Sequence, residues 1–249
     1  MDAVIEFFIE DFIGIIIIIS NIISFSIGRF KSKNIDVSMN IDIDETEEEK
    51  QKHAKKGIII IISQYKKTKL MKEEDIKNAL NQKKYEMFDL ENSNLGHNIK
   101  SILTHSTKLK HCWIVGSYVK DSKSITSSSI NFIEILIEYL KQEKNLQCTF
   151  HYGKQYAIPI SNDALICKKS YKLTNDIFIE AKEDYNLIPK DIIVDVTGGT
   201  KSMNLGLILA SLHKDKDLQI IGSDYDLNGD VIRDKSRSIR IHFSPKIKK

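Results

Sequence analysis

The chain has 249 residues, 41% of them hydrophobic, enough for one or two domains with a packed core. A formal net charge of +3 is too small to argue for nucleic-acid binding, so direct contact with DNA or long RNA is not expected. Cys112, Cys148 and Cys167 each lie inside or beside an apolar run. Their spacing fits neither a zinc knuckle nor a disulfide framework, and they read as small core residues of a reducing compartment.

The N-terminal segment predicts a membrane span. Residues 12–27 carry no charged side chain, and Ile15 to Ile19 are isoleucine throughout. A bilayer core needs about 20 helical residues, and Ile9 to Phe30 is long enough. Acids precede the uncharged run 12–27 (Asp2, Glu6, Glu10, Asp11) and bases follow it (Arg29, Lys31, Lys33). The positive-inside rule then places a short N-terminus outside and the rest in the cytoplasm, a single-pass inner-membrane topology. Glu10, Gly14, Asn21, Ser24 and Gly28 share one stripe of that helix. Small and polar residues on a stripe predict helix–helix contact or pore lining.

Residues 31–56 read as a solvated connector, acidic over Asp42 to Glu49 and basic afterwards, helical at most from Glu45 onward. From residue 57 to 249, apolar strands alternate with helices. Strands are predicted at Gly57–Ile62, His111–Val115, Gln147–Tyr152, Asp191–Val196 and Leu218–Gly222, with a hairpin-like ending through Ile239–Phe243. Helices are predicted over 73–83, 94–105, 130–140 and 173–186, and after residue 202. This alternation implies an α/β fold, a Rossmann-like and mainly parallel sheet with helices on both faces, here preceded by the single transmembrane helix.

Ligands of such sheets sit at the carboxyl ends of the strands. Three strand ends carry polar groups there: Ser63-Gln64-Tyr65, Gly116-Ser117, and Thr197-Gly198-Gly199-Thr200-Lys201-Ser202. Asn94 is expected to approach from a helix cap, and Tyr65 is either a stacking platform or packing. The last of the three strand ends is the most informative. A buried strand, two glycines and a helix N-terminus make a corner whose free N–H groups and dipole suit a phosphodiester. Lys201 adds charge, and Thr197, Thr200 and Ser202 add hydroxyls. A Walker A loop is excluded by spacing, since Thr200 alone separates Gly199 from Lys201.

Other motifs are set aside. Asp224 to Asp230 opens like an EF-hand, but its twelfth position is Lys235, and Asn228-Gly229 reads as a type I′ turn. Arg237 and His242 fall on an alternating strand pattern. Asp176, Glu180 and Lys182 read as a solvated helix face. The histidines show no metal-ligand spacing.

The run Asp195-Val196-Thr197-Gly198-Gly199-Thr200-Lys201-Ser202-Met203 resembles the signature of CARF domains, the CRISPR-associated Rossmann folds. With the N-terminal helix, the chain is similar to the membrane effectors of type III CRISPR systems. That resemblance implies a homo-oligomer built from CARF dimers, with no cofactor, that binds a cyclic oligoadenylate second messenger such as cyclic tetra-adenylate (cA4). It further implies antiviral defence by perturbing the lipid bilayer, as an ion channel or otherwise. It leaves two alternatives: a ring nuclease using Lys201 and Ser63, or a membrane scaffold recruiting a separate effector.

Overall fold

The computed structural model describes residues 35–44, 46–66, 72–120, 124–213, 215–225 and 231–247. The compact unit is Met39–Ser244; the described residues outside it, 35–38 and 245–247, are extended ends of strands. The strands are β1 (Ile35–Asp44), β2 (Gly57–Ile61), β3 (His111–Tyr118), β4 (Thr149–His151), β5 (Ala157–Pro159), β6 (Ile192–Asp195), β7 (Asp217–Tyr225) and β8 (Val231–Ile247). The helices are α1 (Glu47–His53), α2 (Glu73–Asn81), α3 (Gly96–Leu103), α4 (Ile133–Gln142), α5 (Asp163–Tyr185) and α6 (Lys201–Ser211).

The sheet runs β1-β8-β7-β6-β2-β3-β4, with β5 pairing alongside the end of β3. Strands β7, β6, β2, β3 and β4 are parallel, and β8 is antiparallel to β7. Strand β2 is buried along its whole length, as expected of a parallel strand covered on both faces. Its alternate side chains divide between two layers. Ile58 and Ile60 join Cys112, Ile114 and Ile193 in a core roofed by α2, α3 and α4. Each isoleucine buried this way contributes about 1.5–3 kcal/mol relative to exposure.

On the other face, Trp113 donates its indole N–H to Glu180 of α5 at 3.0 Å, and Tyr156 donates its hydroxyl to the same carboxylate. Glu180 is therefore an inward acceptor and not part of a solvated face. The His151 ring stacks on Trp113 and shares a 3.0 Å hydrogen bond with His111. Helix α6 lies close against α5. A methyl group on Gly206 would sit 2.5 Å from the Cys167 carbonyl oxygen and 2.6 Å from Ser170 Cβ. Ser170 also donates its hydroxyl to the Met203 carbonyl.

Three sequence expectations are corrected here. Among the described residues no helix is long and apolar enough to cross a membrane. The longest, α5, carries Lys168, Lys169, Lys172, Asp176 and Lys182 along its length. The expected membrane helix, with Glu10, Gly14, Asn21, Ser24 and Gly28, falls outside the described residues. Among the described residues there is no transmembrane element, and the single-pass inner-membrane topology is withdrawn. The connector expected at 31–56 contains a strand, β1, among its described residues, while α1, with its Thr46–Glu49 capping box, falls in the part read as helical from Glu45 onward. Helix α5 begins ten residues earlier than the periodicity indicates, at the Asn162 cap. The proposed type I′ turn at Asn228-Gly229 lies outside the described residues, between antiparallel partners Tyr225 and Val231.

Two outcomes follow from this packing. Gly206→Ala should lower unfolding free energy by about 1–3 kcal/mol in urea titrations, through overpacking of α5 against α6. Burial lowers the pKa of both His111 and His151. A histidine depressed in the folded state contributes stability that is present above its unfolded value of about 6.5 and is lost as pH falls toward the folded value. Stability of the wild type relative to His151→Gln should therefore fall between pH 7.5 and 5.5.

Candidate functional site

The chain winds from β2 to β3 and β4 in one direction, then returns to place β6 and β7 on the other side of β2. The reversal puts a topological switch point between the carboxyl ends of β2 and β6, the place where open α/β sheets take their ligands. Parallel pairing of Ile60 with Asp195 brings the two following loops level.

The corner after β6 is set by a buried carboxylate. Asp195 is fully buried. Its Oδ1 accepts the Thr197 N–H at 3.0 Å; its Oδ2 accepts the Thr197 hydroxyl at 2.9 Å and the Ser101 hydroxyl at 2.6 Å. Gln219 donates to Ser101 Oγ at 2.8 Å, and its carbonyl oxygen lies 2.7 Å from His105 Nε2. Since the Lys55 N–H donates to His105 Nδ1, the ring proton sits on Nε2 and points at Gln219. Burial pushes the Asp195 carboxyl up to about 6, and the hydrogen bonds from Ser101 and Thr197 oppose that rise.

Thr197 is thereby committed to the scaffold, because its hydroxyl also accepts the Ile221 N–H at 2.8 Å. Gly198 has no room for a side chain: a Cβ would lie 2.2 Å from the Ile61 carbonyl oxygen and 2.7 Å from Asn98 Nδ2. Gly199 takes φ +82, the left-handed region, with Ile61 packed beneath it. Thr200 caps α6 by accepting the Met203 N–H. The N–H groups of Gly199, Thr200, Lys201 and Ser202 find no acceptor among the described residues, and Lys201 is exposed with no acidic partner among them. The Ser202 hydroxyl donates to Asp163, the first residue of α5, so one carboxylate borders the corner.

Of the residues expected from the sequence, Ser63 is the one from β2 that reaches the corner. Its Oγ lies 3.3 Å from the Cβ position of Gly198 and has no partner among the described residues. Gln64 and Asn94 are tied to the loop: Asn94 bonds the Gln64 carbonyl and the Lys66 N–H, and Gln64 donates to the Ser127 carbonyl. Tyr65 is core, stacked on Phe132 and edge-on to Phe88, so it is packing and not a stacking platform. Gly116 and Ser117 lie inside β3, because that strand runs on to Tyr118. Gly116 packs under Ile130, and Ser117 pairs with the Ser129 hydroxyl. Among the described residues no cluster of histidine, cysteine, aspartate and glutamate could hold a metal ion.

The residue that sequence reading missed is Asn98. It is buried, donates to the Ile61 carbonyl at 3.0 Å and lies under Gly198. An asparagine inside the apolar stripe Leu95, Ile99, Ile102 was the available signal.

The sequence matches no protein-family model, and comparison with curated proteins gives no match. The resemblance to CARF domains is withdrawn, together with everything it alone carried. That covers a cyclic oligoadenylate ligand, ring cleavage, an antiviral role in type III CRISPR systems, and a pore or scaffold at the membrane. The physical reason is visible in the run itself. Asp195 and Thr197 brace the turn, Gly198 and Gly199 clear it, and Thr200 caps the helix. These are demands of a tight strand-to-helix corner, which unrelated chains can meet with the same residues.

Asp195→Ala should cost about 2–4 kcal/mol, since it leaves several buried donors without an acceptor. Combined with Thr197→Val, the loss should be clearly less than the sum of the single changes, as urea unfolding of the double-mutant cycle would show.

Proposed function

We propose that this domain is a binding module for a small phosphate ester, held in the crevice between β2 and β6. The observation that carries this reading is the row of four backbone N–H groups, Gly199 to Ser202, without acceptors among the described residues. They lie at the start of α6, where the dipole favours negative charge. Consecutive free N–H groups around a left-handed residue form a concavity that suits phosphate oxygens. Ser63 supplies a hydroxyl from the facing loop, and Lys201 supplies a mobile charge.

The Asp163 carboxylate at the rim favours a ligand of low charge over a polyphosphate. Binding is favoured over catalysis because the hydroxyls of Thr197 and Thr200 are already committed to the fold.

Calorimetric titration with inorganic phosphate, AMP and ATP tests the proposal. A saturable isotherm is expected, with AMP preferred to ATP. Lys201→Ala should weaken binding by about 1.5–3 kcal/mol, the range for a hydrogen bond to a charged group. Absence of binding across the panel, or binding indifferent to both Lys201→Ala and Ser63→Ala, would overturn it.

A further inference from the structure

A cleft of 330 Å³ opens beside β1, β7 and β8, lined by Asn40, Asp42, Asp217, Arg240 and His242. It lies at the amino end of the parallel strands, where Asp217 opens β7 opposite Ile193. The glycine corner occupies the other end. Antiparallel register sets His242 directly across from Asp217, and His242 Nδ1 lies 2.6 Å from Asp217 Oδ1. The second carboxylate oxygen of Asp217 is 2.6 Å from Lys55 Nζ. Burial alone would raise this carboxyl, but the hydrogen bonds from Lys55 and His242 outweigh it and hold Asp217 below its ordinary range. An ionised Asp217 requires a proton on Nδ1, which leaves Nε2 as the ring nitrogen not engaged by Asp217.

The fixed charges cancel in pairs. Lys55 offsets Asp217, and Arg240 offsets Asp42 through a single 2.6 Å contact. The two members of the second pair are unequally held. The Arg240 side chain is 13% exposed and forms part of the wall, whereas Asp42 is 50% exposed. Asn40 and His242 Nε2 have no partner among the described residues. A proton on His242 would leave the cleft with one uncompensated positive charge, beside an arginine whose carboxylate partner is half exposed.

We propose that this cleft is a second binding site, for a small phosphate-class oxyanion, held between the His242 imidazolium and Arg240 with the Asn40 amide beside them. Asp42 occupies the place of the anion until one arrives. A free phosphate and a phosphate group on a larger molecule present the same chemistry here, and inorganic phosphate is the probe.

The test is a phosphate titration of the full chain followed by the histidine ring signals in NMR. It is run one pH unit below and one above the His242 midpoint read from the same spectra. Saturable shifts of the His242 ring are expected, with affinity about tenfold tighter on the acid side, as linkage to one proton requires. Asp42→Asn, at an exposed position, should bind more tightly; His242→Gln should lose the site; Lys201→Ala, at the opposite end of the sheet, should leave it unchanged. Equal affinity at the two pH values, no saturable shift, or full affinity in His242→Gln would overturn the proposal. So would unchanged or weaker binding in Asp42→Asn.

Discussion

The corner that ends β6 depends on one buried carboxylate. Asp195 sits at the last position of a strand with no exposed surface, and it accepts hydrogen bonds from Ser101 and from both the backbone and hydroxyl of Thr197. A charge buried in that place would be costly if unpaired, because the low dielectric magnifies whatever is left unsatisfied. Satisfied, the same group fixes the direction in which the chain leaves the sheet. That direction brings Gly198 against the Ile61 carbonyl and starts α6 with N–H groups that find no acceptor among the described residues.

The network behind Asp195 ties two segments to the sheet through β7. Ser101 comes from α3, His105 from the turn after it, and Gln219 from β7. Each donor and acceptor in the chain has an assigned direction once the Lys55 N–H is placed on His105 Nδ1. Ser238 of β8 closes it by donating to the Gln219 carbonyl oxygen. The crevice therefore rests on a rigid polar layer under α3, and not on loop residues alone.

How much of this was legible in the sequence varies with burial. Strands β2 and β6 stand out because a strand covered on both faces reads as a nearly continuous apolar run, with Asp195 at the end of β6 as the hydrogen-bonded exception. The glycine corner is legible for the same reason: its polar residues interrupt an apolar run abruptly. Strand β1 alternates Ile35, Val37, Met39, Ile41 and Ile43 with polar residues, a period-two signal masked by the acidic block that overlaps it. Strand β5 is too short, at three residues, to show a period. Tyr65 and Ser117 looked like ligand groups because sequence reveals that a residue follows or ends a strand, but not which neighbour covers it. Phe132 and Ser129, more than ten residues away, decide those two cases. The pairing of His111 with His151 and the Asp217–His242 contact are products of strand register, which spacing along the chain does not encode.

The crevice between β2 and β6 is the central claim, and amide chemical-shift mapping during titration with AMP tests it most directly. Concerted, saturable shifts are predicted for Gly199, Thr200, Lys201, Ser202 and Ser63. Shifts confined to the amino end of the strands, or to residues remote from both loops, would contradict the account.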